Sequence, residues 1–263
     1  MTVDVIGEPT ALEIKDADKV SGGSAGFPAI LDKKDYFGWE VDGIGDINGD
    51  GVPDAAVGAY GDDDKGQENR GSDFGAVYIL FLQLDGTVLS FQKISADFGN
   101  FGTDILENKD EFGYSVAGLG DVNGDGINDI AVGALRDDDN IDNRKNKGAV
   151  YILFLQANGA VLSHQKISES SGNFGQPLKS IGHFGSDIAG IGDLNGDGIP
   201  DIAIGNEWDK KGGKSKSGSV WITFLENDGT VKSVREISND SGDFPPEMLQ
   251  RADYFGSAVA SAG

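Results

Sequence analysis

The chain has no cysteine, and only two histidines, two methionines and seven prolines among its 263 residues. Without a thiol, disulfides, zinc ribbons, iron–sulfur ligation and cysteine nucleophiles are all excluded. Basic residues are scarce as well: 21 Lys and Arg face 44 Asp and Glu, a formal net charge of −23. So negative a chain lacks the footprint that nucleic acid or an anionic membrane surface requires, and neither is expected as a partner. Long apolar runs are also missing. Stretches such as 76–82 reach seven residues, far below the roughly 20 that cross a bilayer as a helix, so no membrane insertion is expected. Met1 to Glu8 carry neither a basic nor an apolar segment, so any secretion signal is expected outside this stretch.

Glycine, by contrast, is abundant, at 41 residues, and hydrophobic residues make up 38% of the chain. That combination supports a core, but a turn-rich one. The glycines follow a period. Phe-Gly recurs at Phe37, Phe112, Phe184 and Phe255, at intervals of 75, 72 and 71 residues. Behind the first three come Asp-rich loops at 46–54, 121–129 and 193–201, then Ala-Val-Gly-Ala (56–59 and 131–134) or Ala-Ile-Gly-Asn (203–206). An apolar run (75–82, 148–155, 219–225) and a mixed run (87–94, 160–167, 230–237) complete each unit.

These runs are short, β-branched and aromatic, punctuated by Gly, Asn and Asp, with no helical period, so the chain reads as all-β. The first run of each unit (41–45, 116–120, 188–192) is rich in Gly and Ala, as strands crowded around an axis would be. The third lacks alternation and predicts burial on both faces. The fourth alternates and carries Lys93, Lys166 and Arg235, as an outer edge strand should. Asp85-Gly86, Asn158-Gly159 and Asp228-Gly229 mark the hairpins between them. Four antiparallel strands repeated radially define a β-propeller blade. The whole chain, 1–263, reads as one propeller segment. Residues 1–36 are the end of a preceding blade and its loop, with strands at 2–6 and 11–15. Blades one, two and three occupy 37–111, 112–183 and 184–254, and 255–263 is the first strand of a following blade.

The Asp loops carry the chemistry. Positions one, three, five and nine supply side-chain oxygens: Asp46, Asn48, Asp50 and Asp54; Asp121, Asn123, Asp125 and Asp129; Asp193, Asn195, Asp197 and Asp201. A glycine at position six permits the sharp turn that turns the carbonyl of position seven, Val52, Ile127 or Ile199, inward as a fifth protein ligand. Such an oxygen cage suits a hard cation, and calcium over magnesium, which keeps its waters. An EF-hand shares the spacing but needs an acid at position 12, where Val57, Val132 and Ile204 stand. A single such loop could be a turn with solvated caps; three in register, each concentrating carboxylates that repel, call for a ligand. Three Ca2+ sites are therefore expected.

Together, Phe-Gly, Asp-x-Asn-Gly-Asp-Gly-x-x-Asp and Gly-Ala resemble the FG-GAP repeat of the seven-bladed propeller of integrin α subunits and their prokaryotic relatives. The resemblance implies calcium at the loops between the first and second strands. The third unit departs from the pattern at Gly205-Asn206.

Other features are weaker. The acidic runs 62–64 and 137–139 read as solvated loops, or alternatively as a catalytic carboxylate pair, and Trp208-Asp209-Lys210-Lys211 replaces them in the third unit. His164 reads as a packed or edge residue, His183, beside Phe184, occupies the position of Tyr36 and Glu111, and Phe27, Phe101, Phe174 and Phe244 read as loop anchors or alternatively a sugar platform. No nucleophile constellation can be assembled. The expected function is a noncatalytic, calcium-binding propeller of an extracellular or cell-surface protein, serving adhesion or recognition of a protein or glycan ligand. Alternatives are a scaffold or accessory propeller of a secreted polysaccharide-active enzyme, or a structural spacer. Incomplete blades at both ends predict pairing with other blades of a longer chain, or self-association.

Overall fold

The computed structural model describes residues 19–23, 26–27, 31–63, 73–138, 146–179, 181–241, 245 and 248–261. The strands expected at 2–6 and 11–15 lie outside them. In the first unit the β-favouring runs form β1 (Val41–Gly45), β2 (Asp54–Ala59), β3 (Ala76–Leu82) and β4 (Val88–Ile94). The second unit forms β5 (Phe112–Gly120), β6 (Asp129–Ala134), β7 (Ala149–Leu155) and β8 (Val161–Ile167). The third forms β9 (Phe184–Gly192), β10 (Asp201–Asn206), β11 (Ser219–Leu225) and β12 (Val231–Ile237). Each set is one antiparallel sheet with its strands in chain order, and no helix occurs among the described residues. The innermost strands β5 and β9 begin earlier than the pattern predicts, because Phe112 already pairs with Ala134 and Phe184 with Asn206.

First strands neighbour one another, β1 against β5 and β5 against β9. Four-stranded antiparallel sheets set side by side about their first strands are propeller blades. The core lies between them: Ile79, Phe81 and Ile94 of blade one meet Val116, Ile130 and Tyr151 of blade two. Likewise Ile152, Phe154 and Ile167 meet Ile188, Ile202 and Trp221 of blade three. This explains why the third strand lacks alternation; every residue of β7 is buried. Each such aliphatic or aromatic side chain contributes about 1.5–3 kcal/mol when fully buried. The outer strands break alternation at their start. A bulge between Phe81 and Leu82, repeated between Phe154 and Leu155, leaves Leu89 and Leu162 unpaired and turned to solvent.

The two glycine motifs meet between blades. A Cβ at Gly58, Gly133 or Gly205 would collide with the carbonyl of Gly113, Gly185 or Gly256 of the next Phe-Gly. Only glycine permits that approach. Phe27, Phe101 and Phe174 are at most 3% exposed and lie 5.0, 4.9 and 4.8 Å from the Phe37, Phe112 and Phe184 rings. They are therefore loop anchors and not a sugar platform; Phe244 lies outside the described residues. The main-chain N–H of Phe255 donates to Ser217 O at 3.1 Å, as Phe112 does to Phe74 O and Phe184 to Lys147 O, both at 3.0 Å.

Candidate functional site

Each Asp loop joins the inner end of a first strand to the second strand, so the three loops share one end of the sheets. Their conformation is written in their own hydrogen bonds. Asp46 Oδ1 accepts from the N–H groups of Gly49 (2.8 Å) and Asp50 (3.1 Å), and Oδ2 from Gly51 (2.8 Å). Asn48 Oδ1 accepts from Asp50 N and Asp50 Oδ1 from Val52 N, both at 2.8 Å. The second loop repeats these contacts at Asp121, Asn123 and Asp125, and the third at Asp193, Asn195 and Asp197, within about 0.2 Å. The position-six glycines have φ of 88°, 90° and 89°, the left-handed region expected of that turn.

Position nine does more than close the loop. Asp54 Oδ2 accepts from Ile47 N (3.0 Å) within the loop, and Oδ1 from Leu82 N (3.1 Å) at the far end of β3. Asp129 clamps Val122 and Leu155 in the same way, and Asp201 clamps Leu194 and Leu225. Loop, second strand and third strand are thus pinned by one buried carboxylate. Burial pushes the Asp129 carboxyl up to about 6, with the Asp125 charge adding to it and the main-chain N–H donors opposing it. Burial also raises Asp54 and Asp201, again with neighbouring loop carboxylates adding.

Among the described residues, no three acidic or histidine side chains converge into a ready-made metal cage. The donor set in place is mixed. A carboxylate oxygen has two lone pairs, and in each loop Oδ1 of position one already accepts two N–H bonds. The other oxygen of position one, the Asn oxygen and the position-five carboxylate keep acceptor capacity, although in the third loop Asp197 Oδ2 already meets Lys232 Nζ. That all-oxygen set fits a hard divalent cation.

The opposite end of the sheets carries residues the sequence reading passed over. Tyr36 and Trp39 flank Phe37-Gly38, Tyr60 follows β2, and Tyr114 follows Phe112-Gly113. Their rings form one cluster: Tyr36 on Tyr60 at 4.7 Å, Trp39 to Tyr60 at 5.1 Å, and Trp39 to Tyr114 at 5.6 Å. Trp39 is 50% and Tyr36 48% exposed. Beside them a depression of about 530 Å3 is lined by Trp39, Tyr60, Tyr114, Glu111, Arg136 and Trp208. An ion pair between Arg136 and Glu111 (3.1 Å) and a His183–Glu207 contact (3.3 Å) place polar groups within it, and His183 stacks on Trp208 at 4.0 Å. Tyr36, Glu111, His183 and Tyr254, each directly before Phe-Gly, all hold positive φ, between 53° and 66°. Such strain gathers where geometry is imposed for function. An aromatic residue on either side of Phe-Gly was the available signal.

One expectation is corrected. Asp62 and Asp137 do not sit in solvated loops: they are 4% and 3% exposed. Asp62 accepts from the Tyr78 hydroxyl (3.0 Å) and Lys93 Nζ (2.8 Å), and Asp137 from Tyr151 (2.8 Å) and Lys166 (2.7 Å). In the third unit the buried Asp209 keeps this place, bonded to Ser219 and paired with Lys211. The first Asp of the run is a structural anchor in all three blades. His164 packs edge-on against Phe101 at 5.0 Å, and burial lowers its proton affinity.

Residues 37–80, 112–153 and 184–223 match the FG-GAP repeat family. The chain is an FG-GAP repeat protein, and its three four-stranded sheets are the blades those repeats build. It is similar to integrin alpha-5 of Xenopus laevis, 32% identical over 171 residues, which cover 65% of this chain and 14% of that protein. Integrin alpha-PS2 of Drosophila melanogaster is 33% identical over 174 residues, 65% of this chain and 11% of that protein. Integrin alpha pat-2 of Caenorhabditis elegans is 34% identical over 197 residues, 72% and 14%. The chain is integrin-α-like across its blades and spans no more than 14% of the length of these relatives.

Proposed function

We propose that this chain is a noncatalytic recognition propeller of an extracellular or cell-surface protein, with calcium at the Asp-loop end and ligand at the aromatic end. The observation that carries the reading is the contrast between the two ends. The three Asp loops repeat one hydrogen-bond pattern, whereas the opposite end differs from blade to blade: Tyr36, Glu111 and His183 before Phe-Gly, then Trp39, Tyr114 and Ser186 after it. Repetition suits a shared structural ion, and divergence around a concave aromatic patch suits selective contact with a protein or glycan. Loops of this kind work outside the cell, where calcium is plentiful. The similarity to integrin α subunits supports adhesion as the purpose of that contact.

Two measurements test it. Chelation is expected to lower the melting temperature, since an ion that binds only the folded loop stabilises by about 2.7 kcal/mol per site at a hundredfold excess over Kd. Screening matrix proteins and glycans against the immobilised chain by surface plasmon resonance is expected to give binders whose affinity Trp39→Ala abolishes. Identical melting with and without calcium overturns the metal half, and binders indifferent to Trp39→Ala overturn the ligand half.

A further inference from the structure

The three Asp loops differ in charge environment because of two residues outside the motif. At the start of the outer strand, blades one and two carry Leu89 and Leu162, and blade three carries Lys232. Lys232 Nζ lies 2.8 Å from Asp197 Oδ2, the position-five carboxylate of the third loop. Directly after the third strand, Gln83 and Gln156 are matched by Glu226, whose charge also acts on the lysine, as does that of Asp201 at position nine. The ammonium is thus held among three carboxylates of the loop and its neighbourhood. In blade one the matching space is an open depression of about 420 Å3, lined by Asp50, Val52, Leu84 and Leu89 among others.

We propose that Lys232 is a tethered competitor for the cation of the third loop, so that the three loops fill in two steps and not one. The proposal rests on the calcium reading and deepens it by ranking the sites. An incoming divalent ion at the first loop meets a position-five carboxylate beside Leu89, and the second loop has Leu162 at the matching position. At the third loop it must displace an ammonium already on that carboxylate, or bind with a like charge a few ångströms away. Both lower affinity. The lysine's flexible stem lets it swing aside without disturbing β12. Its exposed ion pair adds little to folding, so the main effect falls on the ion. The expected penalty is about tenfold in Kd, the combined weight of a partly exposed ion pair lost and a like charge approached.

Calcium titration by calorimetry on three proteins decides it: the unaltered chain, Lys232→Leu and Leu162→Lys. Both substitutions fall at exposed positions of outer strands, so melting in saturating calcium checks that each variant folds. The unaltered chain is expected to show two tighter sites and one about tenfold weaker, Lys232→Leu no weaker site, with the third loop at least as tight as the other two because Glu226 remains, and Leu162→Lys one tighter and two weaker. Three equal sites in the unaltered chain, or a weaker site that survives Lys232→Leu, overturn the proposal while leaving calcium binding intact. No calcium heat in any of the three overturns the calcium reading itself, and this proposal with it.

Discussion

Asp110 shows how a single carboxyl sets the pH response of a blade. It is 4% exposed, and burial first, then the charge of Asp137, pushes its carboxyl up to about 7, with Lys166 and the Glu107 N–H opposing and Glu107 adding. Between the ordinary 3.8 and about 7 the folded chain holds a proton that the unfolded chain has released, so this group's contribution to stability falls as pH rises through that window. Asp35, raised to about 6 by burial first, with the Asp62 charge adding to it, acts in the same direction. Asp110→Asn keeps an oxygen for the Glu107 N–H and removes the charge. It is expected to gain roughly 2 kcal/mol more unfolding free energy at pH 8 than at pH 5. Denaturant unfolding at both pH values measures this, and an equal effect at the two would contradict it. Position-one to position-nine donors were legible in the sequence, because their meaning lies in spacing along a loop. The pairing of Asp110 with Asp137 was not, since it joins residues on two different loops.

At the scale of the element, strand order and hairpins followed from local pattern, and the hidden features were those made by contact between elements. The third unit's Ala-Ile-Gly-Asn is an example. Asp35 and Asp110 each cap the turn before Phe-Gly, accepting from Asp32 N (2.6 Å) and Glu107 N (2.7 Å). Gly182 stands there in blade three, and the Asn206 side chain fills the space: a Cβ on Gly182 would lie 2.9 Å from Asn206 Oδ1. Where the Asp is lost, the strand's last Ala has become Asn. Asn206→Ala and Gly182→Asp are each expected to destabilise, one by a cavity and the other by a clash. Together they restore the arrangement of the first two blades. A double-mutant cycle is expected to show favourable coupling of about 1 kcal/mol or more; additive effects would contradict the exchange.

Across the whole molecule, blades cover one another's loops. Ile47 and Val122, at position two of the first and second loops, are 3% and 2% exposed, packed against blades two and three. Leu194, their counterpart in the third loop, is 60% exposed. At about 25 cal/mol per Å2, covering a few hundred Å2 of such a flank contributes several kcal/mol. The net charge of −23 opposes contact between chains, but physiological salt screens it beyond about 8 Å. Light scattering at rising concentration, in calcium and at physiological salt, is expected to show self-association that Leu194→Glu weakens; a strict monomer at high micromolar protein would contradict this.

The central claim is that the three Asp loops are calcium sites and that this end of the propeller is held by the ion. Counting bound calcium by equilibrium dialysis tests it most directly, using the chain and its Asp125→Ala variant, because the position-five carboxylate would be a ligand of the second site and Ala offers no side-chain oxygen in its place. The account predicts three ions per chain at saturation and two for Asp125→Ala. A chain that binds none, or a variant that still binds three, would contradict it.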